Sequence, residues 1–174
     1  DNPAIIDVRR GNGTSFTISL PLGTTRILNP TVDTCVVKPN VCVEEGLYSV
    51  TVNSFPPMVG GYHLFWQRCC RNGSIDNIVV PLDAGESFYT YIPDNNTIIS
   101  NSSPSWINSP PTFVCQGQPL NFQHGATDPD GDSLAYKFYS PYLGCDGIVD
   151  VAGPNCPLNY PTFPLNVATF NTVN

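Results

Sequence analysis

The stretch TSFTISLPL, residues 14–22, alternates cleanly, with Phe16, Ile18 and Leu20 falling on one side of an extended chain. Neighbouring side chains of a strand point to opposite faces, so a period of two predicts a β-strand with one apolar face. YSVTVNSF, residues 48–55, repeats the pattern, with Tyr48, Val50 and Val52 on one side and Ser49, Thr51 and Asn53 on the other. One buried and one wet face is the habit of a β-sandwich.

Working outward, further strand-like pieces recur at short spacing: AIIDVRR (4–10), YHLFWQRCC (62–70), DNIVVPL (76–82) and ESFYTYIP (86–93). Turn signals GNG, MVGG, RNGS and DAGE separate them. Between 94 and 112 the chain turns to DNNTIISNSSPSWINSPPT, a Pro-, Asn- and Ser-rich stretch that reads as a boundary. Beyond it lie PLNFQHGATD, SLAYKFYSP and TFPLNVATF. The expected organisation is all-β: a first sandwich over 1–103 and a second β domain over 104–174, tandem, Ig-like or cadherin-like, and stapled by disulfides. The second falls short of the ~100 residues and about seven strands of a complete Ig-like sandwich. It therefore either continues past Asn174 or is completed by strands of a neighbour, with Phe163, Leu165, Val167 and Phe170 as the candidate edge for strand addition.

Composition supports this class. Only 12% of the 174 residues are charged, against about 25% in ordinary domains, while Pro reaches 18 and Gly 14. Such a mixture suits short strands and turns and suits helices badly. A net charge of −7 without a basic cluster excludes nucleic acid as a partner, and no apolar run approaches the ~18 residues of a membrane span. With no initiating Met and no leader pattern, the sequence reads as a mature or fragmentary chain.

Seven cysteines point to an oxidising, extracellular place. No C-x2-C knuckle is present, so disulfides are favoured over zinc. Cys35 with Cys42 would close one Pro-containing loop and Cys145 with Cys156 a Gly/Pro-rich one, leaving Cys69, Cys70 and Cys115. Cys69 and Cys70 are adjacent, so on a strand they face opposite ways and take different partners. An odd cysteine implies a free thiol, an intermolecular bridge or a partner outside this stretch.

The sharpest chemical signal is ATDPDGDSLAY, residues 126–136. Asp128, Asp130 and Asp132 crowd three carboxylates around Gly131, and a hard dication such as calcium would relieve their repulsion. It is not an EF-hand loop, since Gly follows the second Asp and Tyr139 stands where the bidentate Glu belongs. A solvated Asp-rich turn is the competing reading. Catalysis has weak support: His63 and His124 lie in different units, and no G-x-S-x-G, H-E-x-x-H or phosphate loop occurs. His63, inside YHLFW, reads as a half-buried structural side chain. Tyr89, Tyr91, Trp106, Tyr139, Tyr142 and Tyr160 read as exposed rings able to stack on sugars or proteins, or as packing. Asn12, Asn72, Asn95 and Asn101 open N-x-[S/T] sequons, which turn chemistry explains equally well.

Taken together, YHLFWQRCCRNGSIDNI and then NSSPSWINSPPTFVCQGQPLNFQHGATDPDGDSLAYKFYSP resemble the N-terminal region of large Bacteroidota surface proteins. These are gliding-motility-associated proteins carrying a type IX secretion C-terminal sorting domain. The resemblance covers about residues 35–165 through RCCRN, NSSP, the Cys after Pro-Pro, and DPDGDSL in that order. It implies a secreted, surface-displayed adhesin or filament subunit of tandem β-sandwich modules, with Asp128, Asp130 and Asp132 as calcium candidates. Family members often carry an early Cys in an LYRDC-like strand, which ISLPLGTTR lacks. One of Cys69 and Cys70 is then expected to bond Cys115 and fasten the interdomain segment. The function expected is non-enzymatic and structural, with other copies or neighbouring domains as partners. The alternative is a calcium-dependent module that binds surface polysaccharide, protein or other cells.

Overall fold

The computed structural model describes residues 3–28, 42–69, 71–94, 96, 100–111, 114–115, 117–137 and 142. They form an all-β structure, with no helix among the described residues. The strands are β1 (Ala4–Arg10), β2 (Ser15–Leu20), β3 (Leu22–Leu28), β4 (Val43–Tyr48), β5 (Tyr62–Arg68), β6 (Glu86–Ile92), β7 (Ser105–Trp106) and β8 (Ala126–Thr127). Two compact units emerge: Asp1–Leu22, Tyr48–Ile99 and Phe138–Asn174 make one, and Gly23–Leu47 with Ser100–Lys137 make the other. The second unit is thus assembled from two separate stretches of the chain.

The first unit is built on a four-stranded sheet in the order β2-β1-β5-β6, every neighbouring pair antiparallel. GNG closes β1 onto β2 as its composition predicts. The Arg10 N–H donates to the Thr14 carbonyl (2.8 Å), the Gly13 N–H to the Arg10 carbonyl (2.9 Å), and Asn12 Oδ1 accepts from the Thr14 N–H (3.1 Å) and hydroxyl (2.8 Å). Asn72 Oδ1 likewise accepts from the N–H and hydroxyl of Ser74, both at 3.0 Å. Two sequons are thus Asx turns. Pro21, with no N–H to give a ladder, separates β2 from β3.

Direct partners across antiparallel strands share a face. One face of the sheet accordingly gathers Ile6 and Val8 with Phe16, Ile18 and Leu20, and Tyr62, Leu64 and Trp66 with Phe88 and Ile92. Val8 and Tyr62 are buried at its centre. The segment YSVTVNSF, expected as a strand, ends β4 with Tyr48 and then runs unpaired over this face. Its apolar pattern survives the missing ladder. Phe55 meets Tyr62 edge-on at 4.7 Å and Phe16 at 6.4 Å, and Val50 and Val52 border a hollow of about 280 Å³ with Ile6, Ile18, Leu20, Leu64 and Ile92. The Tyr62 hydroxyl donates to the Pro56 carbonyl at 2.6 Å, anchoring the segment where Pro56 and Pro57 end any strand potential.

DNIVVPL, also expected as a strand, is instead a run of turns. Val80 takes a φ of +46°, a conformation β-branched residues avoid, and the Asp83 N–H donates back to its carbonyl at 2.9 Å. Pro81 blocks a continuous ladder, and Ile78 and Ala84 supply the buried contacts of this region. Beyond it β6 continues outward through Ser87, whose N–H donates to the Tyr142 carbonyl at 3.3 Å. Arg71 brings a mostly buried guanidinium to the same place, 3.6 Å from Glu86 and 3.4 Å from the Tyr142 carbonyl.

In the second unit β3 and β4 form a two-stranded sheet, with Arg26 bonded to Glu45 on its exposed side. β7 and β8 pair antiparallel, Ser105 opposite Thr127 and Trp106 opposite Ala126. The Ile107 N–H extends the pair to the Gly125 carbonyl at 2.9 Å. Of PLNFQHGATD only Ala126–Thr127 is strand, and the described part of SLAYKFYSP has none. Among the described residues of this unit none is buried: Trp106, Ile107, Leu120 and Tyr136 are all more than half exposed.

Candidate functional site

The face of the four-stranded sheet opposite Val8 carries a different chemistry. The register lines up Ser15, Arg9, His63 and Tyr91 across the strands, and beside them Thr17, Asp7, Phe65 and Tyr89. Phe65 is buried, while Tyr89 and Tyr91 are 37% and 43% exposed. His63 Nδ1 and the Tyr89 hydroxyl share a hydrogen bond of 2.9 Å, with the rings nearly parallel. Tyr91 lies 4.9 Å from the imidazole and Tyr89 5.2 Å from the Phe65 ring. Gln67 donates to Ser87 at 2.8 Å at the far end of the strip.

Gly61 makes room for this arrangement. It has a φ of +62°, and a Cβ there would stand 2.8 Å from Tyr91 Cε2 and hydroxyl. The Tyr91 ring therefore occupies space that any other residue would fill.

Burial tunes the titrating groups. Desolvation raises the Asp7 carboxyl above its ordinary 3.8, and its Oδ1 is buried without a hydrogen-bond partner. His63 is lowered below 6.5, first by desolvation and then by the charge of Arg9, against a hydrogen bond with the Gly60 backbone. Tyr89 is raised above its ordinary value by desolvation and then by Tyr91. The Arg9 guanidinium makes neither a hydrogen bond nor an ion pair among the described residues.

Asp128, Asp130 and Asp132 are brought together as a turn. Asp128 Oδ1 accepts from the N–H groups of Asp130 (2.9 Å) and Asp132 (3.2 Å), and Asp130 Oδ2 accepts from the Ser102 N–H at 2.5 Å. Gly131 supplies the positive φ the turn requires, at +82°. Backbone N–H groups thus hydrogen-bond the Asp128 and Asp130 carboxylates. No three His, Cys, Asp or Glu side chains converge on a metal position among the described residues.

The cysteines divide unevenly. Cys69, just past the end of β5, and Cys115 are each disulfide-bonded. Cys69 thus follows the strand instead of sitting within it. Cys42 is a free and exposed thiol, which corrects the expected Cys35–Cys42 staple. The Cys42 side chain stands in solvent immediately before β4. Cys35, Cys70, Cys145 and Cys156 lie outside the described residues, as do Tyr139, Tyr160 and the edge residues Phe163, Leu165, Val167 and Phe170.

Of the rings expected to be exposed, Tyr89, Tyr91 and Trp106 are so, and Tyr142 is half-buried. Trp106 stacks on His124 at 4.2 Å with Tyr136 at 6.5 Å. Asp7 and Arg9 were not anticipated, although two charges two places apart in AIIDVRR mark one strand face. No helix among the described residues is long and apolar enough to cross a membrane. No family model, curated protein or solved structure matches this chain.

Proposed function

We propose that this chain is a non-enzymatic, extracellular structural module of adhesin type. It belongs to a longer cell-surface protein or filament like the gliding-motility-associated proteins its motifs resemble, with tandem Ig-like or cadherin-like sandwiches as the finer architecture. The observation that carries the reading is the pair of half-cystines, Cys69 in one unit and Cys115 in the other, within a charge-poor all-β chain. Disulfides persist in oxidising surroundings and are rare in the cytosol. The uncovered apolar side chains of the second unit add support, because such a unit gains its stability from a neighbour: another copy or the next domain of the chain. In this reading a disulfide between Cys115 and one of the vicinal pair, or between each of them and other cysteines, carries tension where side-chain packing is thin.

The test is thiol labelling on intact cells with a membrane-impermeant maleimide, followed by peptide mapping. Labelling of Cys42 without reductant, and of Cys69 and Cys115 only after reduction, is expected. Labelling of all three only after lysis would place the chain inside the cell and end the proposal. Electron microscopy of unreduced surface material then separates a regular filament subunit from a module of a single flexible adhesin.

A further inference from the structure

We infer that the strip formed by Tyr91, Tyr89, His63, Arg9 and Asp7 is a binding site for an uncharged polysaccharide strand. The inference rests on the proposal that the chain is displayed at a cell surface, where such polymers are met.

Three features of the strip determine the ligand. Its rings are held in place before anything binds: Tyr89 through its bond to His63, Tyr91 against the imidazole and over the bare Gly61. Rigid, exposed rings offer apolar area at small entropic loss, and they select a partner with a flat apolar face. Next to the rings the site is polar. Arg9 has donors to give, and Thr17 supplies an exposed hydroxyl on the adjoining strand. A ligand must therefore carry donors and acceptors close together beside an apolar face, which is the chemistry of a pyranose ring with its vicinal hydroxyls.

Charge decides between polymers. Arg9 is matched by Asp7 two residues away on the same face, so the strip has no surplus positive charge for a polyanion. The chain's net charge of −7 opposes one further. The shape agrees. From Tyr91 to Ser15 the row crosses three inter-strand gaps, about 14 Å at the usual strand spacing. Tyr91, Tyr89 and Thr17 are exposed across that width, which suits an extended chain lying across the strands and not a small molecule that needs enclosure.

Affinity electrophoresis of the intact, unreduced chain tests the inference, with galactomannan, laminarin or alginate cast in the native gel. Retardation by a neutral polymer is expected. Tyr91→Ala should weaken it at least tenfold. Arg9→Gln, which breaks no internal hydrogen bond, should weaken it several-fold with the circular dichroism spectrum unchanged. Trp106→Ala, in the other unit, should migrate like the parent chain. Retardation by alginate alone, by no polymer, or undiminished in Tyr91→Ala and Arg9→Gln overturns the assignment. Because the assay uses purified protein, its failure leaves the cell-surface reading to be judged by the labelling of Cys42.

Discussion

Replacing Gly61 by alanine separates two costs that a glycine can carry. Gly13 and Gly61 both have positive φ, +86° and +62°. An L-residue in that region loses about 1–2 kcal/mol. At Gly13 an added Cβ meets nothing within 4 Å, so Gly13→Ala should cost that conformational term alone. At Gly61 the Cβ would stand 2.3 Å from the Ile92 carbonyl oxygen, where 3.0 Å is the practical floor, so backbone must shift by 0.7 Å (3.0 minus 2.3). Overpacking of this kind adds about 1–3 kcal/mol, giving a total of about 2–5 kcal/mol for Gly61→Ala. Ile92 closes the β5–β6 ladder opposite Tyr62, so the strain falls on the buried end of the sheet. Urea unfolding of the disulfide-intact proteins, with m-values compared, gives both numbers. Gly61→Ala should be the more destabilised by at least about 1 kcal/mol. It should also lose polysaccharide retardation, because Tyr91 is pushed aside. Equal losses at the two positions would refute the steric reasoning.

Further perturbations probe other parts of the molecule. Tyr62→Phe removes the bond to the Pro56 carbonyl and should cost about 0.5–1.5 kcal/mol in the same unfolding assay. Asp7 has a raised folded-state value, so the native chain binds the proton more readily than the unfolded one. Its penalty is full above the folded value and relieved as pH falls towards 3.8, so acidification should stabilise the parent relative to Asp7→Asn, read as the pH dependence of the difference in midpoint. Ellman titration of the native protein should find the Cys42 thiol, and Cys42→Ser should remove that signal. Melting curves in calcium and in chelator test the Asp128, Asp130 and Asp132 turn as a calcium site: a midpoint that rises with calcium is expected if the carboxylates hold the ion, and coincident curves would end that reading.

Local chemistry made much of the sheet legible in the sequence. TSFTISL alternates, AIIDVRR, YHLFWQR and ESFYTYI are strand-like runs beside glycine turns, and the four became β2, β1, β5 and β6. Where pattern and ladder part company, a missing hydrogen-bond partner is the reason. Val50 and Val52 face the sheet as their spacing requires, yet the prolines after Phe55 leave that segment as a cover and not a strand. DNIVVPL has strand composition, but Pro81 and the left-handed Val80 fold it into turns. The candidate site was legible only in fragments. Tyr89 and Tyr91 stood out as rings, whereas their meeting with Asp7 and Arg9 depends on which strand lies beside which, and β1 pairs with β5 across more than fifty intervening residues. DPDGD announced its carboxylates, but not that the backbone would answer their charge.

The interleaving of the units along the chain bears on inheritance. The polypeptide leaves the first unit after Leu22, re-enters it at Tyr48 and leaves again after Ile99, so any single cut between Leu22 and Ser100 severs one unit or the other. Neither can be copied, swapped or lost as a contiguous cassette. Recombination can move only the pair, and the pair is the smallest piece on which selection for a new surface could act.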